Sequence, residues 1–194
     1  VSMQNYQMDK QIRTLAEKNR LHDELHRQTA RQIDLLNDWL QKLTKTDDPK
    51  EKRELLRHIV VVGAYLKRRN NLILVNEQDG VIKEEELNLS IQEMIKNLQL
   101  AGIHCAGTVE FEIDLPTDVA MKLFDFYEYV VENAFDGLGS LLARFFYCDN
   151  SFYACIDAVC SLDLTKLQNE QIFVSVSDKN CYTLSLKIEG GDGR

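Results

Sequence analysis

Apolar residues in the first half of the chain recur at the three- and four-residue spacing of an amphipathic helix. Residues 9–45 contain neither proline nor glycine, and this stretch predicts one long helix. The sequence Thr-Asp-Asp-Pro at 46–49 ends that helix and begins a second, because proline is favoured in the first helical turn. The second helix is predicted over 50–76 and is apolar around much of its circumference. Two long helices joined by a short turn predict an antiparallel hairpin.

The apolar surface of this predicted hairpin is wider than two helices can cover between them. Packing against a second copy of the hairpin as a four-helix bundle would bury the remaining apolar positions. We therefore expect the chain to form a homodimer through its first half, and this expectation follows from burial alone.

After Gly80 the pattern changes to a mixture of helical and strand-like segments. Two helices are predicted, over 84–101 and 115–135. Segments with the two-residue alternation or apolar character of strands follow at 108–113, 141–147, 152–156, 172–176 and 182–188. This order predicts an α+β protein whose second half is a small α/β sandwich, with helices on one face of a mixed sheet.

Length and composition agree with two small domains, which we place at residues 1–78 and 79–194. The 194 residues are 44% hydrophobic and 28% charged, and the net charge of −8 argues against nucleic acid as a partner. The five cysteines are odd in number and lack C-x-x-C spacing, which argues against disulfides or zinc and favours a cytoplasmic protein. The polar, helix-prone beginning is that expected of the cytosolic part of a longer, membrane-anchored chain.

The sequence Asn-Arg-Leu-His-Asp-Glu-Leu at 19–25 carries the clearest candidate chemistry. A neutral imidazole nitrogen of His22 could act as a nucleophile toward a phosphoryl group. The neighbouring carboxylate of Asp23 could fix the imidazole tautomer and hold the other ring proton. Arg20 could stabilise the incoming phosphate charge. Since His22 also falls within or beside the apolar stripe, a packed or surface histidine is the alternative interpretation.

The segment 21–25 resembles the phosphoacceptor sequence of bacterial sensor histidine kinases, which carry H-D-x-L-G at this point. The resemblance covers nearly the whole chain, including the hairpin, the linking segment 75–85 and the helix–strand–helix order after it. In that family a later helix supplies an asparagine oxygen to the Mg²⁺ ion that bridges the ATP phosphates. The segment 129–134 resembles that helix, and Asn133 is the matching position. The resemblance thus implies ATP and Mg²⁺ as cofactors, with Asn133 as the metal ligand.

Several positions depart from the family pattern. His26 replaces the usual glycine after the phosphoacceptor box, and Arg27 replaces the usual glutamine. The family glutamate four residues before the asparagine falls on Tyr129. The adjacent Glu128 is turned about 100° around the helix, and Glu132 could substitute only with a different geometry.

The nucleotide-binding segments depart further. The family reads adenine with an Asp-x-Gly-x-Gly turn and covers the phosphates with a glycine-bearing lid. Asp157 falls where the adenine-reading aspartate would be, after the predicted strand 152–156, but no glycine occurs between Gly139 and Gly190. Backbone approaches phosphate closely only where side chains are absent, and residues 160–171 are too few for a lid of ordinary size. We therefore expect a shortened lid and weak or absent ATP binding.

Three functions remain open from the sequence, and the resemblance leaves undecided whether the chain is an active enzyme. The first is the cytoplasmic portion of a two-component histidine kinase, which phosphorylates His22 and passes the group to a response-regulator receiver domain. The second is an ATP-independent histidine phosphotransferase. The third is a non-catalytic, dimeric pseudokinase module.

Overall fold

A computed structural model describes residues 8, 27, 29–75 and 80–190 of the chain. The protein divides into two compact units, Val1–Ile59 and Val60–Arg194. The predicted phosphotransfer residues Arg20, His22 and Asp23 lie outside the described residues, as do residues 76–79 around the predicted domain boundary. The catalytic roles and that boundary therefore stay predictions.

The described part of the first unit is helical on both sides of the predicted break. Helix α1 covers residues 29–45, residues 46–48 are not helical, and helix α2 covers Pro49–Val75. The carboxylate of Asp48 accepts a hydrogen bond of 2.9 Å from the backbone N–H of Lys50, which caps the beginning of α2. The rings of Trp39 and His58 lie 5.0 Å apart between centroids. The four-helix bundle stays a prediction.

The second unit contains the end of α2 and, within residues 80–190, two further helices, seven strands and two short 3-10 turns. In chain order these elements are β1 (Val81–Ile82), α3 (Glu84–Leu100), β2 (His104–Glu110), β3 (Leu115–Pro116), α4 (Thr117–Ala134), a 3-10 turn (Phe135–Gly137), β4 (Leu138–Cys148), β5 (Ser151–Cys160), a 3-10 turn (Leu164–Leu167), β6 (Ile172–Asp178) and β7 (Cys181–Glu189). The predicted α+β class is confirmed. No helix in the described part of the chain is both long and apolar enough to span a bilayer.

Five strands form one mixed sheet in the order β2-β4-β5-β7-β6. Strands β2 and β4 run parallel, and the other neighbours run antiparallel. Helix α3 packs on β2, and α4 packs on β5. Alternate residues of β5, including Ala154, Ile156 and Ala158, are buried on this helical side. The helices therefore cover one face of the sheet, and the intervening residues of β5 point to the other face.

The strand predicted at 108–113 lies earlier in the chain, at His104–Glu110. Gly107 lies in the middle of β2. A Cβ atom at this position would lie 2.7 Å from Cδ1 of Ile95, so glycine permits α3 to approach the strand closely. The strand ends before Glu112, which adopts a left-handed conformation with φ 56°.

The hairpin of β4 and β5 is longer than the sequence pattern predicts. Its turn consists of Asp149 and Asn150, whose φ angles of 47° and 56° fit a two-residue hairpin turn that matches the twist of the strands. Strand β5 continues to Cys160 instead of ending at residue 156. Asp157 is therefore inside a strand and does not follow one.

The connection from β5 to β6 is short and held by side chains. Asp163 caps the 3-10 turn by accepting hydrogen bonds from the backbone N–H of Thr165 at 3.1 Å and from its hydroxyl at 2.6 Å. Leu164 and Leu167 of this turn are buried. The connection therefore packs onto the domain as a single turn and contains no α-helix.

Candidate functional site

Asn133, the candidate magnesium ligand, lies near the end of α4 on its exposed side. Its amide nitrogen donates a hydrogen bond of 2.7 Å to the backbone carbonyl of Tyr129, one turn earlier. Glu132 is half-buried beside it. The opposite side of α4 is strongly apolar and packs on the sheet, which explains why Asn133 is turned away from the core.

Asp157, the candidate adenine-reading residue, lies on the face of the sheet that the helices do not cover. Its neighbours across the strands are Leu142 of β4 and Thr183 of β7. One carboxylate oxygen accepts a hydrogen bond of 2.6 Å from the Thr183 hydroxyl, and the other lies 2.9 Å from Nη2 of Arg144. Both oxygens of Asp157 are thus engaged in a cross-strand network on the outer face.

The structure does not bring the predicted nucleotide-binding residues together. Asn133 belongs to the helical side of the sheet and Asp157 to the outer side, so the sheet lies between them. A groove of about 540 Å³ does adjoin α4, and it is lined by Tyr129 and by residues of β6 and β7. Neither Asn133 nor Asp157 lines this groove.

The described residues do not fit a site for ATP and Mg²⁺. The groups proposed for adenine and for metal lie on opposite faces, and the carboxylate of Asp157 already has two partners. The β5–β6 connection contains no glycine whose backbone could approach phosphates closely, and Leu164 and Leu167 anchor it in the core. Within residues 29–75 and 80–190, no cluster of three or more His, Cys, Asp or Glu side chains could hold a metal ion.

A buried polar cluster, which the sequence pattern missed, lies between α2 and α4. We define the α2–α4 cluster as Tyr65, Arg69, Asp125 and Glu128. Nε and Nη2 of Arg69 each donate a hydrogen bond of 2.9 Å to a different carboxylate oxygen of Asp125. The Tyr65 hydroxyl donates to the first of these oxygens, also at 2.9 Å. The Arg69 side chain is only 2% exposed and that of Asp125 is 36% exposed, so the arginine end of this two-pronged ion pair is desolvated.

Burial and charge determine the protonation of this cluster. Burial, together with the negative charge of Asp125, raises the pKa of Tyr65 well above its ordinary value. Burial alone would lower the pKa of Arg69, but the hydrogen bonds and charge of Asp125 outweigh it and raise that pKa. Burial raises the pKa of Glu128 well above its ordinary range, and the negative charges of Glu132 and Asp125 add to the effect. The protonated form of Glu128 is therefore favoured.

Local signals for the α2–α4 cluster exist but do not identify it. Tyr65 and Arg69 are four residues apart on the apolar side of α2, and Asp125 interrupts the apolar stripe of α4. The basic run at 67–69 reads as one charged patch near a helix end. In the structure it divides, because Lys67 and Arg68 pair with Glu93 of α3 while Arg69 turns to α4.

No family model matches the chain, and no curated protein sequence matches it. Among solved structures, the histidine kinase AdeS of Acinetobacter baumannii is similar, with 12% identity, coverage of 86% of this chain and 98% of that one, and a TM-score of 0.43. A bacterial phosphotransferase gives 13% identity, coverage of 88% and 95%, and a TM-score of 0.45. The kinase domain of the blue-light activated histidine kinase of Erythrobacter litoralis EL346 has 11% sequence identity and a TM-score of 0.41. The match covers 82% of this chain and 94% of that one. These likenesses are weak, and the fold described above rests on the elements of this chain itself.

Proposed function

We propose that this chain is a dimeric phosphotransfer protein of a two-component system that works without ATP bound to its own second unit. His22 takes a phosphoryl group from one receiver aspartate and passes it to another. This is the second of the three functions that the sequence leaves open. In this proposal the residues at 19–25 carry the chemistry, and the architecture of the second unit supports a transferase over a kinase.

One observation favours the transferase over the kinase. The segment that would have to read adenine and enclose phosphates is instead a regular strand, β5, followed by one short anchored turn. Asp157 is engaged with Arg144 and Thr183 on the wrong face of the sheet for partnership with Asn133. Within residues 80–190 the chain keeps the layers of an α/β sandwich, and this arrangement supports a function that does not use triphosphate.

The proposed reaction requires only a histidine and an aspartyl phosphate. The phosphorus–oxygen bond of the receiver's phosphoaspartate breaks as a bond forms between phosphorus and an imidazole nitrogen of His22. The receiver aspartate leaves as a carboxylate, and the reverse reaction loads a second receiver. Asp23 would hold the other imidazole proton, and Arg20 would balance charge on the phosphoryl oxygens.

Exposed apolar residues on the described part of the first unit support the proposed dimer. Ile33 and Leu40 of α1 and Leu56 of α2 are exposed in the single chain. Large aliphatic side chains on both helices of one unit favour burial against another apolar surface, and a second copy supplies an identical one. Sedimentation or light scattering of the purified chain should give twice the monomer mass. A monomer at micromolar concentration would contradict the dimer.

The test of phosphotransfer uses a receiver domain that has been phosphorylated with a small-molecule phosphodonor. Incubation with the intact protein should move the phosphoryl group to the chain, as an acid-labile, base-stable phosphohistidine. His22→Gln should abolish this transfer, whereas the matched variant His26→Gln should retain it. Loss of transfer only in His26→Gln would show that His26, and not His22, accepts the phosphoryl group. If no receiver of the source genome transfers a phosphoryl group to the wild-type chain, the non-catalytic module would be favoured.

A separate assay addresses the kinase alternative. Equilibrium binding of a fluorescent ATP analogue with Mg²⁺ should show no saturation up to millimolar concentration, and labelled ATP should leave His22 unlabelled. Micromolar binding that is lost in Asn133→Ala would restore the kinase assignment. That result would leave the conclusions on dimerisation and on transfer from a receiver unchanged. The measurements of mass, phosphotransfer and ATP binding therefore test separate parts of the proposal.

A further inference from the structure

The sheet has two edge strands, β2 and β6, and α3 packs on the first of them. Gln92 of α3 donates a hydrogen bond of 3.0 Å to the backbone carbonyl of Gly107. Gln99, about two turns further along α3, donates a hydrogen bond of 2.9 Å to the backbone carbonyl of Cys105. Both carbonyls belong to β2, so side chains of α3 occupy backbone acceptors that an incoming strand would need on this edge.

The first residue of β6 shows which backbone groups of that strand face its open side. The N–H of Ile172 donates a hydrogen bond of 2.9 Å to the side-chain oxygen of Asn169, and the carbonyl of Ile172 accepts one of 3.0 Å from the N–H of Asn169. Both backbone groups of Ile172 therefore point away from β7. Backbone direction alternates along an antiparallel strand, so the backbone groups of Val174 and Val176 also point away from β7.

Beyond Ile172 this edge is open in the part of the chain that the structure describes. No described residue outside the sheet forms a hydrogen bond with the backbone of Val174 or Val176. The side chains of Phe173 and Val176 are 62% and 54% exposed. Edge strands of natural proteins are commonly protected by lysine, proline or an inward-pointing charge, and residues 172–177 contain none of these. The edge is therefore able to accept a further strand.

A second copy of β6 matches this edge in charge and in hydrogen bonding. Residues 172–177 are uncharged, so a second copy brings no like charge to the contact, even though the whole chain carries a net charge of −8. The second copy also offers the same free N–H and C=O groups. Antiparallel pairing of two identical strands is a two-fold contact, in which each strand satisfies the backbone groups of the other.

We propose that two copies of this chain associate through antiparallel pairing of β6 with β6, which joins their five-stranded sheets into one. Asn169 already occupies the backbone groups of Ile172. The free groups of Val174 and Val176 therefore determine the register. Val174 of each copy lies opposite Val176 of the other, and each such pair exchanges N–H···O=C hydrogen bonds in both directions. Ser175 then lies opposite its own counterpart, and the exposed side chain of Val176 packs beside the Val174 side chain of the other copy.

This contact is independent of the dimer proposed for the first unit, because β6 belongs to the second unit. A pair of short strands buries less than the roughly 1,200 Å² at which stable interfaces begin, so we expect a transient contact that forms at higher concentration than the hairpin dimer. Where both contacts form, each chain has two different two-fold neighbours, and hairpin dimers are linked into larger assemblies.

Hydrogen exchange followed by NMR on the intact protein tests the pairing residue by residue. At micromolar concentration the amides of Val174 and Val176 should exchange rapidly. Those of Phe173 and Ser175, which point to β7, should be protected at every concentration. At millimolar concentration, exchange at Val174 and Val176 should slow by about twofold or more once half of the chains are paired. Exchange at these two amides that is independent of concentration, whether rapid or slow, would overturn the proposal.

Sedimentation of two matched variants locates the contact. In the wild-type chain the mean mass should rise between micromolar and millimolar concentration. Val176→Lys places a charge on the paired edge and should abolish this rise. Val159→Lys is the control, because it adds the same charge at a valine that is 46% exposed on β5, away from the edge, and it should retain the rise. A rise that both variants retain, or that both lose, would contradict pairing through β6.

The same series separates this contact from the hairpin dimer. A dimer mass that stays constant up to millimolar concentration would refute only the β6 contact. A monomer at micromolar concentration that becomes a dimer at millimolar concentration, with the rise lost in Val176→Lys, would refute only the hairpin dimer. If Val176→Lys does not fold, the exchange of Val174 and Val176 in the wild-type chain still decides the question.

Discussion

The second unit contains two arginine–aspartate pairs with the same separation and very different surroundings. Arg69 and Asp125 lie 2.9 Å apart with the arginine side chain 2% exposed. Arg144 and Asp157 also lie 2.9 Å apart, but their side chains are 49% and 38% exposed on the outer face of the sheet. Distance alone therefore does not say which pair the fold depends on, and the degree of desolvation does.

The comparison also bears on function. Asp157 is the residue that the family resemblance assigns to adenine, and in the structure it forms an ordinary surface pair across two strands. Asp125, which no family pattern marks, forms the buried contact that attaches α2 to α4. The structurally important acid of this unit thus lies on α4, where α2 joins the sandwich, and not at the expected nucleotide site.

The largest effect is expected on removing the acid of the buried pair. Asp125→Ala leaves the Arg69 guanidinium buried without its two hydrogen bonds, and loss of one partner of a buried pair costs about 3–5 kcal/mol. Urea unfolding followed by circular dichroism would measure the loss. The double variant Arg69→Met with Asp125→Leu should recover most of it, since no charge then remains buried. A loss below about 1 kcal/mol in Asp125→Ala would show that water solvates Arg69 in the folded state.

The order of helices and strands follows from the sequence, whereas the α2–α4 cluster does not. Periodicity identifies α2, α3 and α4 nearly to the residue because their apolar faces are long. Alternation underestimates β5 because its last inward-facing residues include the small Ala158. Arg69 and Asp125 are 56 residues apart, so no local pattern can pair them. A sequence shows that a charged residue interrupts the apolar stripe of a helix. Only the packed helices show which residue of opposite charge pairs with it.

A smaller effect, of opposite sign, is expected on replacing the unpaired acid of the buried cluster. Glu128→Met removes a buried polar group without a partner and should stabilise the fold at pH 7 by about 1–3 kcal/mol. The pKa of Glu128 is raised in the folded state above its ordinary value of 4.5, so the folded chain keeps a proton that the unfolded chain loses. The contribution of Glu128 to stability is therefore most favourable below pH 4.5 and declines as the pH rises toward the raised pKa.

The pH dependence of stability provides the control for the Glu128 variant. The stability advantage of Glu128→Met over wild type should be largest near neutral pH and should shrink as the pH falls toward 4.5. Urea unfolding at pH 5 and pH 7 measures the difference. An advantage that is equal at both values would mean that Glu128 titrates normally, and an advantage that grows at low pH would mean that Glu128 is ionised and paired in the folded state.

The smallest effect is expected at the exposed pair of Arg144 and Asp157 on the outer face of the sheet. Asp157→Asn removes the charge that faces Arg144 and keeps an oxygen for the Thr183 hydroxyl, so it should cost about 0–1 kcal/mol. Because the pair is exposed, that cost should decrease further between low salt and 1 M NaCl, whereas the cost of Asp125→Ala should change little. A double-mutant cycle with Arg144→Gln isolates the pair from other contacts of each residue. A coupling energy at the outer pair equal to that at Arg69 and Asp125 would show that the cross-strand network, and not burial alone, makes an ion pair strong in this unit.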